Sequence, residues 1–203
     1  MDLIKKGMII PSIKNNEGLS EVLISEHEVV FLLYGDLLNI EEIITKLKNK
    51  GKTVFVNVDL LVGFSSKDIV IKYLYQKLNI DGIISSKSAL ILEAKKYGLI
   101  TIHKFFLIDS FSYKNMYAQL KKSKPDMLEI VPGWDRIIEW TNRHVDIPII
   151  AGGLVCKKDM IRNAFKSGAT AIATTNSSIW DVKLDAPIKK QRVLRVKKIP
   201  SKS

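Results

Sequence analysis

The chain has 203 residues and a mass of 22.9 kDa, with 46% apolar and 26% charged residues; this excludes a wholly disordered chain and leaves room for one domain or two small ones. It carries 32 Lys and Arg against 21 Asp and Glu, a net charge of +11, and a single cysteine, Cys156, which excludes an internal disulfide framework and fits a reducing compartment. The longest apolar run, Val29 to Tyr34, is far short of the ~20 residues of a membrane span, and no signal-peptide pattern surrounds Lys5 and Lys6, so a soluble cytoplasmic protein is expected.

In chain order, short runs rich in β-branched residues lie at 8–10, 29–33, 53–58, 82–84, 100–103, 127–131, 147–151 and 171–174. Most are apolar on both faces, as strands covered by helices are. Helical spacing fills the gaps: Ile40, Ile43, Ile44 and Leu47 share one face, with Glu41, Glu42, Lys46 and Lys48 opposite. A second helix holds Ile69, the run from Ile71 to Leu74, and Leu78, with Ser65 and Ser66 as N-cap candidates. A third holds Met160, Ile161, Ala164 and Phe165. Gly51, Gly98 and Gly168 each follow a helical turn and precede a strand, where glycine accepts the left-handed backbone that ends a helix. Lysines in those last turns complement the helix dipole, so many of them need no ligand to account for them.

Eight strands alternating with helices fit either a doubly wound open sheet or a closed (β/α)8 barrel. The count of eight favours the barrel. No G-x-G-x-x-G turn follows the first strand, where Pro11 to Asn16 stands instead, and this weakens the dinucleotide-binding alternative. The expected architecture is α/β, a minimal (β/α)8 TIM barrel over residues 1–182, with a basic C-terminal tail over 183–203. From Lys183 to Ser203 there are eight basic residues and one acid, which is +7 of the total +11.

In such a barrel, functional groups gather at the carboxyl ends of the strands. Gly152 and Gly153 end the seventh strand and let bare backbone approach an anion. Thr175, Asn176, Ser177 and Ser178 follow the eighth and can open a short helix toward Trp180. Amide groups there would bind a phosphate without a positive side chain, although a tight turn would also account for the Gly-Gly pair. Lys14, Lys87 and Lys104 end three other strands and would ring an anion. Asn57 and Asp59 lie two apart after the third, and Glu129 lies in the sixth. An acid buried there must pair with a lysine or reach a ligand hydroxyl, and Glu129 faces Lys104 or His103 on the neighbouring strand. His27, His103 and His144 have no metal-ligand spacing, Cys156 has no partner nearby, and no G-x-S-x-G elbow occurs; neither a metal nor a cofactor is expected. Trp134 and Trp140 are assigned to the helix after the sixth strand, where packing accounts for them.

Several segments together resemble the glycerol uptake operon antiterminators: 10–15, 57–60, 81–85, 106–110, 129–133, 148–154 and 168–171 followed by Thr175-Asn176. The resemblance runs in order over residues 8–180. It implies a (β/α)8 fold, glycerol 3-phosphate as effector, and action on the leader mRNA of glycerol-metabolism operons to prevent transcription termination. Gly152, Gly153, Thr175 and Asn176 would then hold the phosphate, and Asp59, Glu129 or Lys104 the hydroxyls. Where that family often has Arg, this chain has Lys14, Lys87 and Lys104, which keep the charge and lose the planar fork. Lys189, Lys190, Arg192, Arg195, Lys197 and Lys198 are RNA-contact candidates. Alternatively the tail aids solubility alone, or its Val193, Leu194, Val196 and Ile199 dock on another subunit of a homo-oligomer. The expected role is regulatory and not enzymatic. The alternative is a phosphate-binding barrel enzyme, an isomerase, aldolase or phosphodiesterase, with Lys104 as a Schiff-base amine and Asp59 or Glu129 as general acid or base.

Overall fold

A computed structural model describes residues 3–183, so the six tail residues expected to touch RNA lie outside the described residues. Eight parallel strands close into a barrel in the order of the sequence. They are β1 (Met8–Ile13), β2 (Val29–Leu32), β3 (Thr53–Asn57), β4 (Gly82–Ser85), β5 (Ile100–Phe106), β6 (Met127–Val131), β7 (Ile149–Gly152) and β8 (Ala171–Thr174). Seven α-helices connect them: α1 (Asn16–Ile24), α2 (Ile40–Asn49), α3 (Asp68–Leu78), α4 (Ser88–Lys96), α5 (Ser110–Ser123), α6 (Asp135–Asn142) and α7 (Lys158–Lys166). Among the described residues, β8 is followed by a 3-10 turn, Ser177–Ile179. The closed sheet settles the choice between barrel and open sheet, because a barrel has no edge strand to cover.

Two cores result from the alternation of side chains along each strand. Ile10, Val29, Phe31, Phe55, Ile84, Ile102 and Ile150 fill the barrel interior. Their neighbours in sequence point outward onto the helices, where Val30, Leu32, Val54 and Val56 meet Ile43, Ile44, Leu47, Ile71 and Leu74. Gly82 is small by necessity: a Cβ there would lie 2.5 Å from the Ile100 carbonyl oxygen and 2.6 Å from the Phe55 ring.

The helix signals behave unevenly. Gly51, Gly98 and Gly168 have φ of +70°, +71° and +107°, as their role as stops requires. Asp109 caps α5 by accepting from the Ser112 amide at 2.7 Å in a capping box. The serine cap expected for α3 is corrected. Its cap position is Lys67, with no side-chain cap bond, because the helix begins at Asp68, one residue later than a Ser66 cap would require. Trp134 likewise precedes α6 instead of lying in it, while Trp140 stacks on Tyr113 with ring centroids 3.8 Å apart.

At the amino end of the barrel, two acids tie strand starts together. Asp81 accepts from the Val54 amide and from Lys48, both at 2.7 Å. Asp126 accepts from the Thr101 hydroxyl at 2.6 Å and the Thr101 amide at 2.9 Å. Burial alone would push the Asp126 carboxyl up, but these bonds and the nearby Lys95 hold it below the ordinary range. A short segment, Leu3 to Lys6, crosses this end and roofs a cavity of about 540 Å³ that Phe55, Ile100, Met127 and Pro148 also line. Among the described residues, no helix is long and apolar enough to cross a membrane, and no group of three His, Cys, Asp or Glu could hold a metal ion.

Candidate functional site

At the carboxyl end of the barrel, the candidate residues fall into three groups. The first lies inside the barrel wall. Ile102, Lys104 and Phe106 alternate inward along β5, and Lys104 is in register with Glu129 on β6. The Lys104 Nζ lies 3.4 Å from both carboxylate oxygens of Glu129 and 5.5 Å above the Phe106 ring. Both side chains are largely buried, at 15% and 6% exposure. Glu129 Oε2 is within ion-pair range of the lysine but makes no hydrogen bond. Burial pushes the Glu129 carboxyl above its ordinary range, against the opposing charge and hydrogen bond of Lys104. Gly152 completes this group from β7: a Cβ there would collide with Glu129 Oε1 and lie 3.1 Å from Glu129 Cγ. The missing side chain is the space in which the carboxylate lies.

The second group joins the ends of β3 and β4. Asp59 accepts from the Ser85 hydroxyl at 2.8 Å, the Ser86 amide at 2.6 Å and the Ser86 hydroxyl at 2.8 Å. Lys87 lies 3.8 Å from Asp59 and donates to the Ser66 hydroxyl. Asn57, 1% exposed, accepts from the Asp59 amide at 3.2 Å and so fixes the turn. Asp59 therefore spends much of its acceptor capacity within the protein, whereas Glu129 does not. Nothing in the sequence marks the serines that hold it, Ser85 and Ser86, for that task.

The third group brings together the loops after β7 and β8. Gly153 and Leu154 are consecutive left-handed residues, with φ of +63° and +55°. The Gly153 carbonyl accepts from the Gly133 amide at 3.2 Å. Thr174 donates to the Val155 carbonyl at 3.2 Å, which locks the two loops side by side. Asn176 performs a structural task. Its side chain accepts from the Ser178 amide and hydroxyl at 3.2 and 2.7 Å, and its own amide donates to the Thr174 hydroxyl at 3.2 Å. Thr175 and Gly153 are exposed beside it. Lys14 is exposed after β1, without a hydrogen bond or ion pair to the other candidates among the described residues.

Of the two neighbours proposed for Glu129, only Lys104 faces it. His103 points outward to α5, with Nδ1 2.9 Å from the Ser123 hydroxyl and Nε2 3.2 Å from the Ser86 carbonyl. Burial pushes the His103 imidazole down, which favours its neutral form. Also unforeseen is the apolar rim of this end: Leu38, Val62, Phe106, Ile108, Phe111 and Leu154 are all more than half exposed.

A family model described as glycerol-3-phosphate responsive antiterminator matches residues 9–180. The chain belongs to that family. It is 38% identical over 181 residues to the uncharacterized protein YgcP of Escherichia coli K12, covering 89% of this chain and 95% of that one. Two crystal structures share its barrel. One is a glycerol uptake operon antiterminator regulatory protein from Listeria monocytogenes, 28% identical with a TM-score of 0.83, covering 86% of this chain and 95% of that one. The other is a glycerol uptake operon antiterminator-related protein from Thermotoga maritima, 29% identical with a TM-score of 0.76, covering 87% and 99%. Membership makes this antiterminator-family barrel one built around responsiveness to glycerol 3-phosphate.

Proposed function

We propose that this protein binds glycerol 3-phosphate at the carboxyl end of its barrel and, in that state, binds the leader mRNA of glycerol-metabolism operons in the cytoplasm, preventing termination without chemically altering its effector. The observation that carries this reading is Glu129 Oε2, a carboxylate oxygen buried beside Lys104 with no hydrogen bond of its own. An unfilled acceptor of this kind costs free energy until a donor arrives, and a ligand hydroxyl supplies one. The adjoining ammonium then takes up the remaining polarity of the ligand. The phosphate rests on the Gly152-Gly153 and Thr175 backbone, where loops after the seventh and eighth strands often hold one. Asn176 keeps that loop in shape from behind. Lys14 and Lys87 add charge from the rim, and Asp59 orients Lys87.

Effector control requires that the ligand bind the RNA-competent arrangement more tightly than the other, since equal affinity would shift nothing. Titration calorimetry with glycerol 3-phosphate should give saturable one-to-one binding, with the effector recovered unchanged after prolonged incubation. Recovery of a cleaved or isomerised product would instead favour the enzyme reading, in which Lys104 and Glu129 act on the substrate.

A further inference from the structure

Charge is divided between the two ends of the barrel. The carboxyl end comprises the strand-to-helix loops and the first four residues of each helix; it has six Lys and Arg against nine Asp and Glu. The amino end comprises residues 3–7 and, for each helix, its last four residues and the loop that follows. It has fourteen Lys and Arg against eight Asp and Glu. The end that holds the candidate effector site is therefore net −3 and rimmed with apolar side chains, while the opposite end is net +6.

Half of the eight acids on the basic end are already used in ion pairs. Asp81 pairs with Lys48, Asp126 with Lys95, Glu93 with Lys96 and Glu139 with Arg143. Lys5, Lys6, Lys50, Lys121, Lys122 and Lys124 are exposed there and take no ion pair among the described residues. Helix dipoles account for Lys121 and Lys122, in the last turn of α5. They do not account for Lys5 and Lys6, which belong to no helix, or fully for Lys50 and Lys124, which lie past the ends of α2 and α5. The chain also leaves the barrel beside this end. Asp181 is 3.2 Å from His27, in the turn between α1 and β2, and the eight basic residues from Lys183 onward follow it in sequence.

We propose that the RNA phosphate backbone docks on the amino end of the barrel, on Lys5, Lys6, Lys50 and the Lys121–Lys124 turn, opposite the effector site. This rests on the reading of the protein as an RNA-binding regulator and deepens it. The extended phosphate backbone of an RNA is drawn by the summed field to the +6 end, whereas the single effector phosphate at the −3 end is held locally by backbone amides; each lysine that meets an RNA phosphate releases counterions. The effector consequently acts across the length of the barrel, and it does not bridge protein and RNA directly.

The test uses the full chain, glycerol 3-phosphate at saturation, and a fluorescein-labelled 30-nucleotide single-stranded RNA. Two triple variants remove the same charge from opposite ends: Lys50→Gln/Lys121→Gln/Lys122→Gln and Lys67→Gln/Arg136→Gln/Lys157→Gln. The first should weaken RNA binding about tenfold or more and make the slope of log K against log salt shallower by about 2, because each single-strand contact contributes about 0.7. The second should change affinity less than about twofold, and both should bind glycerol 3-phosphate as the unaltered chain does. Equal losses in the two variants, or an unchanged slope in the first, overturn the assignment of the surface while leaving RNA binding itself standing. Failure of the unaltered chain to bind RNA overturns the regulator reading and the surface together. If the first variant lowers binding to phosphatidylserine vesicles and leaves RNA binding intact, the face is a membrane surface and the proposal is wrong.

Discussion

Replacing Lys104 with methionine should destabilise the barrel by about 3–5 kcal/mol near neutral pH, the usual result of leaving one member of a buried ion pair alone. Against a total stability of about 5–15 kcal/mol, that is a large fraction. Methionine matches the length of the lysine stem, so little packing is lost and the effect reports the charge. Glu129 would then face the apolar interior of β5 to β7 without its cation and would take up a proton. The folded-state pKa of this carboxyl is already raised by burial, and in the variant the lowering influence of Lys104 is gone. A folded state that holds a proton more tightly than the unfolded chain loses stability as pH rises from the ordinary carboxylate range toward the raised value. The Lys104→Met chain should therefore be closer to the unaltered chain in urea melts at pH 5 than at pH 8. Lys104→Met/Glu129→Leu should regain most of the loss at pH 8, because an apolar pair replaces an ion pair at little cost. A single variant as stable as the unaltered chain at both pH values would mean that the pair carries no weight in the fold.

Gly152→Ala should weaken glycerol 3-phosphate binding about 10–100-fold, the equivalent of about 1.4–2.8 kcal/mol. The added methyl would occupy the space in which Glu129 Oε1 lies, and Glu129 Cγ and Cδ would be 3.1 and 3.2 Å away. Overpacking of this order costs about 1–3 kcal/mol and is relieved here by swinging the carboxylate away from Lys104. The backbone itself is not strained at Gly152, unlike Gly153 with φ of +63°, so the effect isolates the position of the carboxylate. Calorimetry of the variant at a temperature where it is fully folded would decide it. Unchanged affinity would remove the Lys104–Glu129 pair from the effector site.

These two residues also mark how far the sequence could be read. The eight strands were legible because β-branched runs recur at helix-plus-strand spacing, three of them just after a helix-ending glycine, and the closed barrel follows from their number. Boundaries failed where polar residues enter a strand. The first strand continues through Pro11 and Ser12 to Ile13, and the fifth through Lys104 to Phe106. Those polar positions line the open end of the barrel, where the apolar rule that defines a buried strand no longer holds. The cross-strand meeting of Lys104 and Glu129 was foreseeable, since adjacent parallel strands place such residues side by side. The outward turn of His103 follows from the same alternation, one residue away from an inward lysine.

Other features were not legible because they depend on three-dimensional summation. A net charge of +11 does not say which end of a barrel carries it. Nor does a hydrophobic fraction reveal that Leu38, Phe106, Ile108, Phe111 and Leu154 crowd the rim of one end. The capping role of Asn176 was hidden as well, because Thr175-Asn176 offers the same sequence whether its polar atoms serve the protein or a ligand. Only the bonds to Ser178 and Thr174 distinguish the two.

The decisive measurement is retention of an RNA transcript carrying a glycerol-operon leader, on one preparation with and without glycerol 3-phosphate. An effector-controlled RNA-binding protein retains the transcript tightly with the effector and at least tenfold more weakly without it, with no response to glycerol alone. Equal retention in both conditions would show that the effector does not control RNA binding.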